Sequence, residues 1–286
     1  CACAVPMAMS LEGIKNVAEA ARSSGKNYMM METALYTYQF FYVKQMLESG
    51  VLGRIQFMRG SHYQDMIAYP DYWMGLPPML YSTHAIAPMA ALYGSRIERV
   101  HCLGSGTMEP WLHEQYGNPY PVESALLSFE NGMKAEATRS MFEVAKIIQE
   151  GLYVYGSKAS FEWGVRYFDD PYVTAAAGNY QKMTLIEFNQ IATPNCADKL
   201  PESIRRFTAG EGHYDPSNPQ KPLTKETAAM HHGSHPHLVH EFIMSIVENR
   251  KPGYDEVFAA NITASGICAH ESAMKDGEAV VIPTFK

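Results

Sequence analysis

The order of segments at the start of the chain constrains the fold more than any other feature. Cys1 to Val5 is a short run of small apolar residues that reads as the inside of a strand, ended by Pro6. Ser10 fits the N-cap of a helix over residues 11–24, with Leu11, Ile14, Val17, Ala18 and Ala21 as its apolar stripe and Gly25 just past its end. Tyr28 to Met31 reads as a second buried strand, with Glu32 and Thr33 at its carboxyl end. Strand, helix, strand at this spacing predicts a βαβ unit, hence a parallel sheet and a right-handed crossover.

Beyond this unit the pattern changes. A helix near 37–49 leads through Gly50-Val51-Leu52-Gly53 into a strand at 54–62. Strands near 97–106, 122–130, 133–142, 151–156 and 159–163 follow, joined by short turns such as Glu130-Asn131-Gly132 and Gly156-Ser157-Lys158. Residues 193–236 are rich in Pro, Gly, Asn, Asp and Ser and read as a long loop region, a class often used for function. Helices near 236–249 and 256–275 close the chain. The expected fold class is α/β plus α+β: the end of a parallel sheet over residues 1–35, then a domain over 36–286 with a large open, mainly antiparallel sheet and flanking helices.

Bulk properties exclude several functions. A chain of 286 residues can bury a large core, and its net charge of -7 argues against a broad electrostatic grip on nucleic acid. No apolar run approaches the ~20 residues of a membrane span. Five scattered cysteines read as reduced thiols in a cytoplasm-like compartment. Because Cys1 already looks like a strand interior, an earlier segment is expected before it, and a lost export signal stays open. Eighteen tyrosines in a chain that is 12% aromatic suit a polar-ligand pocket or an oligomer interface.

Residues 79–88 place one histidine, His84, in an apolar run with signs of a helix, after an aromatic loop containing Tyr69, Tyr72 and Trp73. The imidazole is either a satisfied core residue or a proton-transfer group, with Tyr81 three positions earlier on the same helical face. Glu32 sits where ligands bind in open α/β sheets, or serves as a helix N-terminal carboxylate. Arg139 can pair with a ligand or with a cross-strand acid. His231 to Glu241 holds five of the chain's 11 histidines. Within it, His237 and Glu241 share a helix face and could hold a metal, but no third ligand at zinc-like spacing accompanies them, and no metal is assigned. There is no Gly-x-Ser-x-Gly, and Gly104-Ser105-Gly106 lacks the third glycine of a phosphate loop.

The segment order resembles the Gfo/Idh/MocA oxidoreductases. Ala4-Val5-Pro6-Met7-Ala8-Met9-Ser10 is similar to that family's Glu-Lys-Pro-Leu-Ala segment, and Met31 to Tyr36 to the strand end facing the nicotinamide. Leu47 to Ile55 is close to its Ser-Gly-x-Leu-Gly-x-Ile turn, the most specific match, and Phe242–Pro252 with Ala269–Ala273 matches its closing helices. The resemblance implies the C-terminal part of a Rossmann domain, without its Gly-rich dinucleotide loop, followed by a substrate and oligomerisation domain. It implies an NAD- or NADP-dependent oxidoreductase acting on a secondary hydroxyl of a sugar, glycoside or cyclitol. Where that family commonly has a Lys and an Asp, this chain has Val5 and Leu80, and only His84 remains.

On this reading His84 is the base and Tyr81 its partner, with His235 or His237 able to replace a missing group. Val5, Pro6, Glu32 and Thr33 face the cofactor, and Tyr36, His62, Trp73, Arg139, His235 and His237 line the substrate side. A small carbohydrate is the expected partner and a homodimer or homotetramer the expected assembly, with no nucleic acid or membrane. Alternatives are an NAD-dependent glycosidase of the same family, a catalytically inactive sugar-binding or assembly protein, and a metal-dependent hydrolase or lyase using His237 and Glu241.

Overall fold

The computed structural model describes residues 1–146, 148–166, 169–176, 186–208 and 231–285. The opening unit forms as the sequence predicts. Strands β1 (Ala2–Cys3) and β2 (Met29–Met30) pair in parallel, joined by helix α1 (Leu11–Ser24). The Gly13 N–H donates to Ser10 Oγ at 3.0 Å, and Gly25 takes the left-handed conformation that ends the helix. Ile14 and Ala18 are the buried side chains of this helix, which packs against the long closing helix.

The main sheet has nine strands: β3 (Ile55–Gln64), β4 (Ile97–Ser105), β5 (Val122–Phe129), β6 (Lys134–Ser140), β7 (Ile148–Gly156), β8 (Ala159–Glu162), β9 (Tyr172–Ala176), β10 (Ile186–Gln190) and β11 (Val280–Val281). Their order is β10-β9-β8-β7-β3-β6-β5-β4-β11. All neighbours are antiparallel except β3 and β6, which run parallel. The sheet is therefore mainly antiparallel, as expected, but β9, β10 and β11 were not foreseen. They are short, and two of them lie at the edges, where pairing partners rather than their own sequence define them.

Helices α2 (Tyr38–Glu48), α3 (Thr83–Tyr93), α5 (Ser234–Val247) and α6 (Glu256–Ala273) accompany the sheets, with one short turn of helix, α4 (Glu202–Arg205). The single helix expected near 79–88 is two pieces, a 3-10 turn at Pro78–Tyr81 and then α3. Pro88 lies inside α3 and has no N–H to give the His84 carbonyl four residues back. The expected loop at 193–236 contains 3-10 turns at Ala197–Lys199 and Arg206–Thr208 besides α4, while residues 209–230 lie outside the described ones. No helix among the described residues is long and apolar enough to cross a membrane.

One close approach locks α3 onto the sheet. A Cβ added at Gly60 would lie 1.9 Å from the Ala85 carbonyl oxygen, so only glycine lets the helix backbone rest on β3. Met58, Gly60 and His62 alternate along the buried face of β3, which carries His62 toward the start of α3. A contiguous apolar cluster joins Ile14 and Met29 of the first unit with Leu127, Leu152 and Ile262.

Candidate active site

The site is assembled on a row of ionisable residues running across four strands. Register places Glu123 of β5 beside Arg139 of β6, Arg139 beside His62 of β3, and His62 beside Glu150 of β7. Residues paired in this way share a sheet face. All four are buried, so the inner face of the sheet, apolar elsewhere, carries a polar stripe here.

His84, the second residue of α3, lies above this row and is 5% exposed. Its Nδ1–H donates to the Glu32 carboxylate, so the unit that ends β2 and the helix on the main sheet meet in one short hydrogen bond. Glu32 also accepts from the Ala34 N–H at 3.0 Å, capping the turn Thr33–Leu35. The ring centroids of His62 and Tyr81 lie 4.8 and 5.6 Å from that of His84, and Trp73 stacks edge-on against Tyr81 at 4.8 Å. Four sequence candidates, His84, Tyr81, His62 and Trp73, are thus brought together.

A second imidazole–carboxylate couple faces the first. His231 Nδ1–H donates to Glu150 Oε1 at 2.7 Å, and the His231 ring centroid is 5.3 Å from that of His84. His231 and His232 both take positive φ, 76° and 47°, followed by Gly233 at 70°. Two non-glycine residues in the left-handed region are a costly conformation, held here as the chain turns into α5. A Cβ at Gly233 would meet the Thr208 carbonyl oxygen at 2.4 Å, so that turn is also tightly seated.

The couples set the charges. Burial works against a protonated His84, but the Glu32 carboxylate, its hydrogen bond and Glu150 outweigh it and raise the pKa. Burial likewise opposes ionisation of Glu150, yet His231, His84 and His232 hold its pKa down at about 2. His62 is held well below the usual histidine range by burial, reinforced by Arg139, His84 and His231. Neither of its ring nitrogens has a hydrogen-bond partner among the described residues. Burial lifts Tyr81 to about 12, so its phenol stays protonated.

Arg139 donates to protein oxygens: the carbonyls of Tyr81 (2.9 Å), His62 (3.1 Å) and Ser140, and Gln64 Oε1 (3.3 Å). Fully buried, with its pKa lowered by that burial to about 9, it ties Tyr81 and β3 to β6.

The remaining candidates are spread around this centre. Val5 and Pro6 are half-buried just after β1, and Thr33 is buried with an unpartnered hydroxyl. The Tyr36 ring packs edge-on against Phe41 and Tyr254. His235 is exposed, with its ring 5.6 Å from His231. His237 packs against Phe41 at 4.9 Å, and burial lowers its pKa. Its helix partner Glu241 is committed to Arg250, at 2.7 and 2.8 Å, and to the Gly253 N–H at 2.8 Å. These contacts occupy Glu241, the carboxylate on which the metal-dependent alternative with His237 relied.

Sequence reasoning missed Glu150. A charged residue in mid-strand reads as solvent-facing, but its alternation with Leu152 and Val154, both buried, was the available signal.

Residues 40–162 match the family model of the GFO/IDH/MocA C-terminal domain. No curated protein matches the sequence. Among solved structures, levoglucosan dehydrogenase in complex with NADH and L-sorbose is similar over 99% of this chain and 73% of its own, at 19% identity and TM-score 0.73. An NAD binding oxidoreductase from Klebsiella pneumoniae gives TM-score 0.74 at 14% identity, covering 99% of this chain and 73% of that one. Myo-inositol 2-dehydrogenase from Lactobacillus plantarum gives 0.68 at 16%, with the same coverage of 99% and 73%. With a small parallel sheet leading into a nine-stranded mixed sheet, the chain has the fold of these solved oxidoreductases, and its residues 40–162 are similar to the GFO/IDH/MocA C-terminal domain.

Proposed function

We propose that this protein is an NAD(P)-dependent oxidoreductase acting on a secondary hydroxyl of a sugar, glycoside or cyclitol. The observation that carries the reading is the Glu32–His84 hydrogen bond. It joins the carboxyl end of a parallel strand, where nucleotide cofactors sit in open α/β sheets, to a buried imidazole on the main sheet. Fold similarity to levoglucosan dehydrogenase and myo-inositol 2-dehydrogenase supports the substrate class.

The residues after β2 suit the nicotinamide end of such a cofactor, since Glu32 Oε2 and Thr33 Oγ1 are buried without hydrogen-bond partners among the described residues. When bound, the nicotinamide exchanges hydride with the hydroxyl carbon. The hydroxyl proton is handled at the His84 centre, where Glu32 fixes the tautomer and orientation of the ring. Tyr81 and His62 flank that ring, and Trp73 closes the aromatic side. Arg139 serves as a positioning residue through its grip on the Tyr81 and His62 carbonyls.

The test is nicotinamide reduction by the intact protein with NAD or NADP, across a panel of sugars, glycosides and cyclitols. Turnover that His84→Ala lowers about 100- to 10,000-fold is expected. No turnover with any panel member, together with sugar binding unchanged in His84→Ala, would overturn the reading in favour of a binding protein.

A further inference from the structure

We infer that His84, Glu150 and His231 form a binding site for one divalent transition-metal cation of the zinc class. The inference goes beyond the oxidoreductase reading and rests on the geometry of the cluster alone. One ligand atom from each residue lies within 4.8 Å of the others. Bonds of about 2.0–2.2 Å to a shared cation would draw that triangle in to sides of roughly 3.5 Å. Two imidazoles and a carboxylate are a donor set that catalytic zinc uses while keeping a further position open.

Independent features of the cluster point to a ligand. Glu150 is 2% exposed, and its Oε2 has no hydrogen-bond partner among the described residues. A carboxylate oxygen buried in that state is costly unless something positive meets it. His84 commits Nδ1 to Glu32, which leaves Nε2 as its ligand nitrogen. A carboxylate behind a ligating imidazole is the usual outer partner that fixes the tautomer and strengthens the donor. His62 adds a buried imidazole beside the same ring, with both nitrogens unpartnered.

The charges agree. Glu32 and Glu150 bring two buried carboxylates, while Arg139 is the guanidinium in the row and is turned onto backbone carbonyls. A cation coordinated between them would balance that buried negative charge. A cation there would ligate and acidify a hydroxyl oxygen, the work that the imidazole otherwise does by taking the proton itself. The sequence assigned no metal because the ligands come from α3, β7 and the turn before α5. Glu150 and His231 alone are 81 residues apart, so no local spacing motif exists.

Metal analysis of the untagged intact protein tests this, together with titration of the chelator-stripped protein using Zn2+ alone. One zinc per chain and saturable re-uptake are expected. The double variant Glu150→Gln/His231→Gln should lose uptake while keeping the wild-type circular dichroism. Glu32→Gln, which spares all three ligands, should weaken zinc affinity about 10- to 100-fold. Co2+ in place of Zn2+ should give visible absorption bands that Glu150→Gln changes. Stripped protein that takes up no Zn2+, or a double variant that binds it like wild type, overturns the site. Metal binding without nicotinamide turnover would leave the site standing and sink the oxidoreductase reading. Turnover by protein that takes up no metal would sink the site alone.

Discussion

Glu32 and His84 are 52 positions apart in the chain and share one hydrogen bond inside the protein. Glu32 ends the parallel unit and His84 begins the helix seated on the main sheet, so this contact registers the two against each other. Glu32→Gln keeps the shape and removes the charge that holds the imidazole in one tautomer. The expected outcome is a fall in kcat of about 100- to 10,000-fold with a much smaller change in KM, read from steady-state kinetics. A rise in KM with kcat unchanged would assign Glu32 to substrate binding instead.

Gly60→Ala should act through packing. The new Cβ would meet the Ala85 carbonyl at 1.9 Å, and neither the strand nor the helix backbone can yield cheaply. A loss of about 3 kcal/mol, or roughly 6–12 °C in Tm, is expected from thermal unfolding. Unchanged melting would mean that α3 is free to lift from β3.

Arg139→Met removes the donors to the Tyr81, His62 and Ser140 carbonyls at a fully buried position. Urea unfolding should show a loss of about 3–5 kcal/mol, since several buried acceptors are left unpaired. Arg139→Lys should recover little, because an ammonium cannot reproduce the planar fork.

Glu241 predicts a pH effect on stability. The hydrogen bonds from Arg250 lower its pKa, opposed by partial burial and helped by the Gly253 N–H. A carboxylate depressed on folding stabilises the protein above its unfolded pKa, and that contribution disappears as pH falls through the folded value. Glu241→Gln should therefore lower Tm near neutrality and narrow the gap to wild type in acid. A constant gap across the acid range would remove Glu241 from the linkage.

Local signals were readable and non-local ones were not. Ser10 and Gly25 marked α1 to the residue because capping is decided within one helical turn. His84 stood out as a lone imidazole in an apolar run and His231 lay in the singled-out histidine cluster, yet Glu150, the carboxylate that pairs with His231, was hidden in a strand. The parallel pairing of β3 with β6 was equally hidden, since no turn between them announces it. Arg139 was left open between a ligand and a cross-strand acid, because a strand arginine gives no sign that backbone carbonyls will take its donors.

The central place of β3 has a consequence for the order in which the molecule assembles. Its neighbours β6 and β7 are remote from it in the chain, and His62 meets the Arg139 guanidinium across 77 residues. Such long closures lose chain entropy before any contact repays it. The carboxylates and imidazoles of the row therefore stay hydrated while nearer contacts form and leave water together when the middle strand is enclosed. A half-folded chain would hold none of the site, and any ligand that recognises this cluster would select the completed sheet.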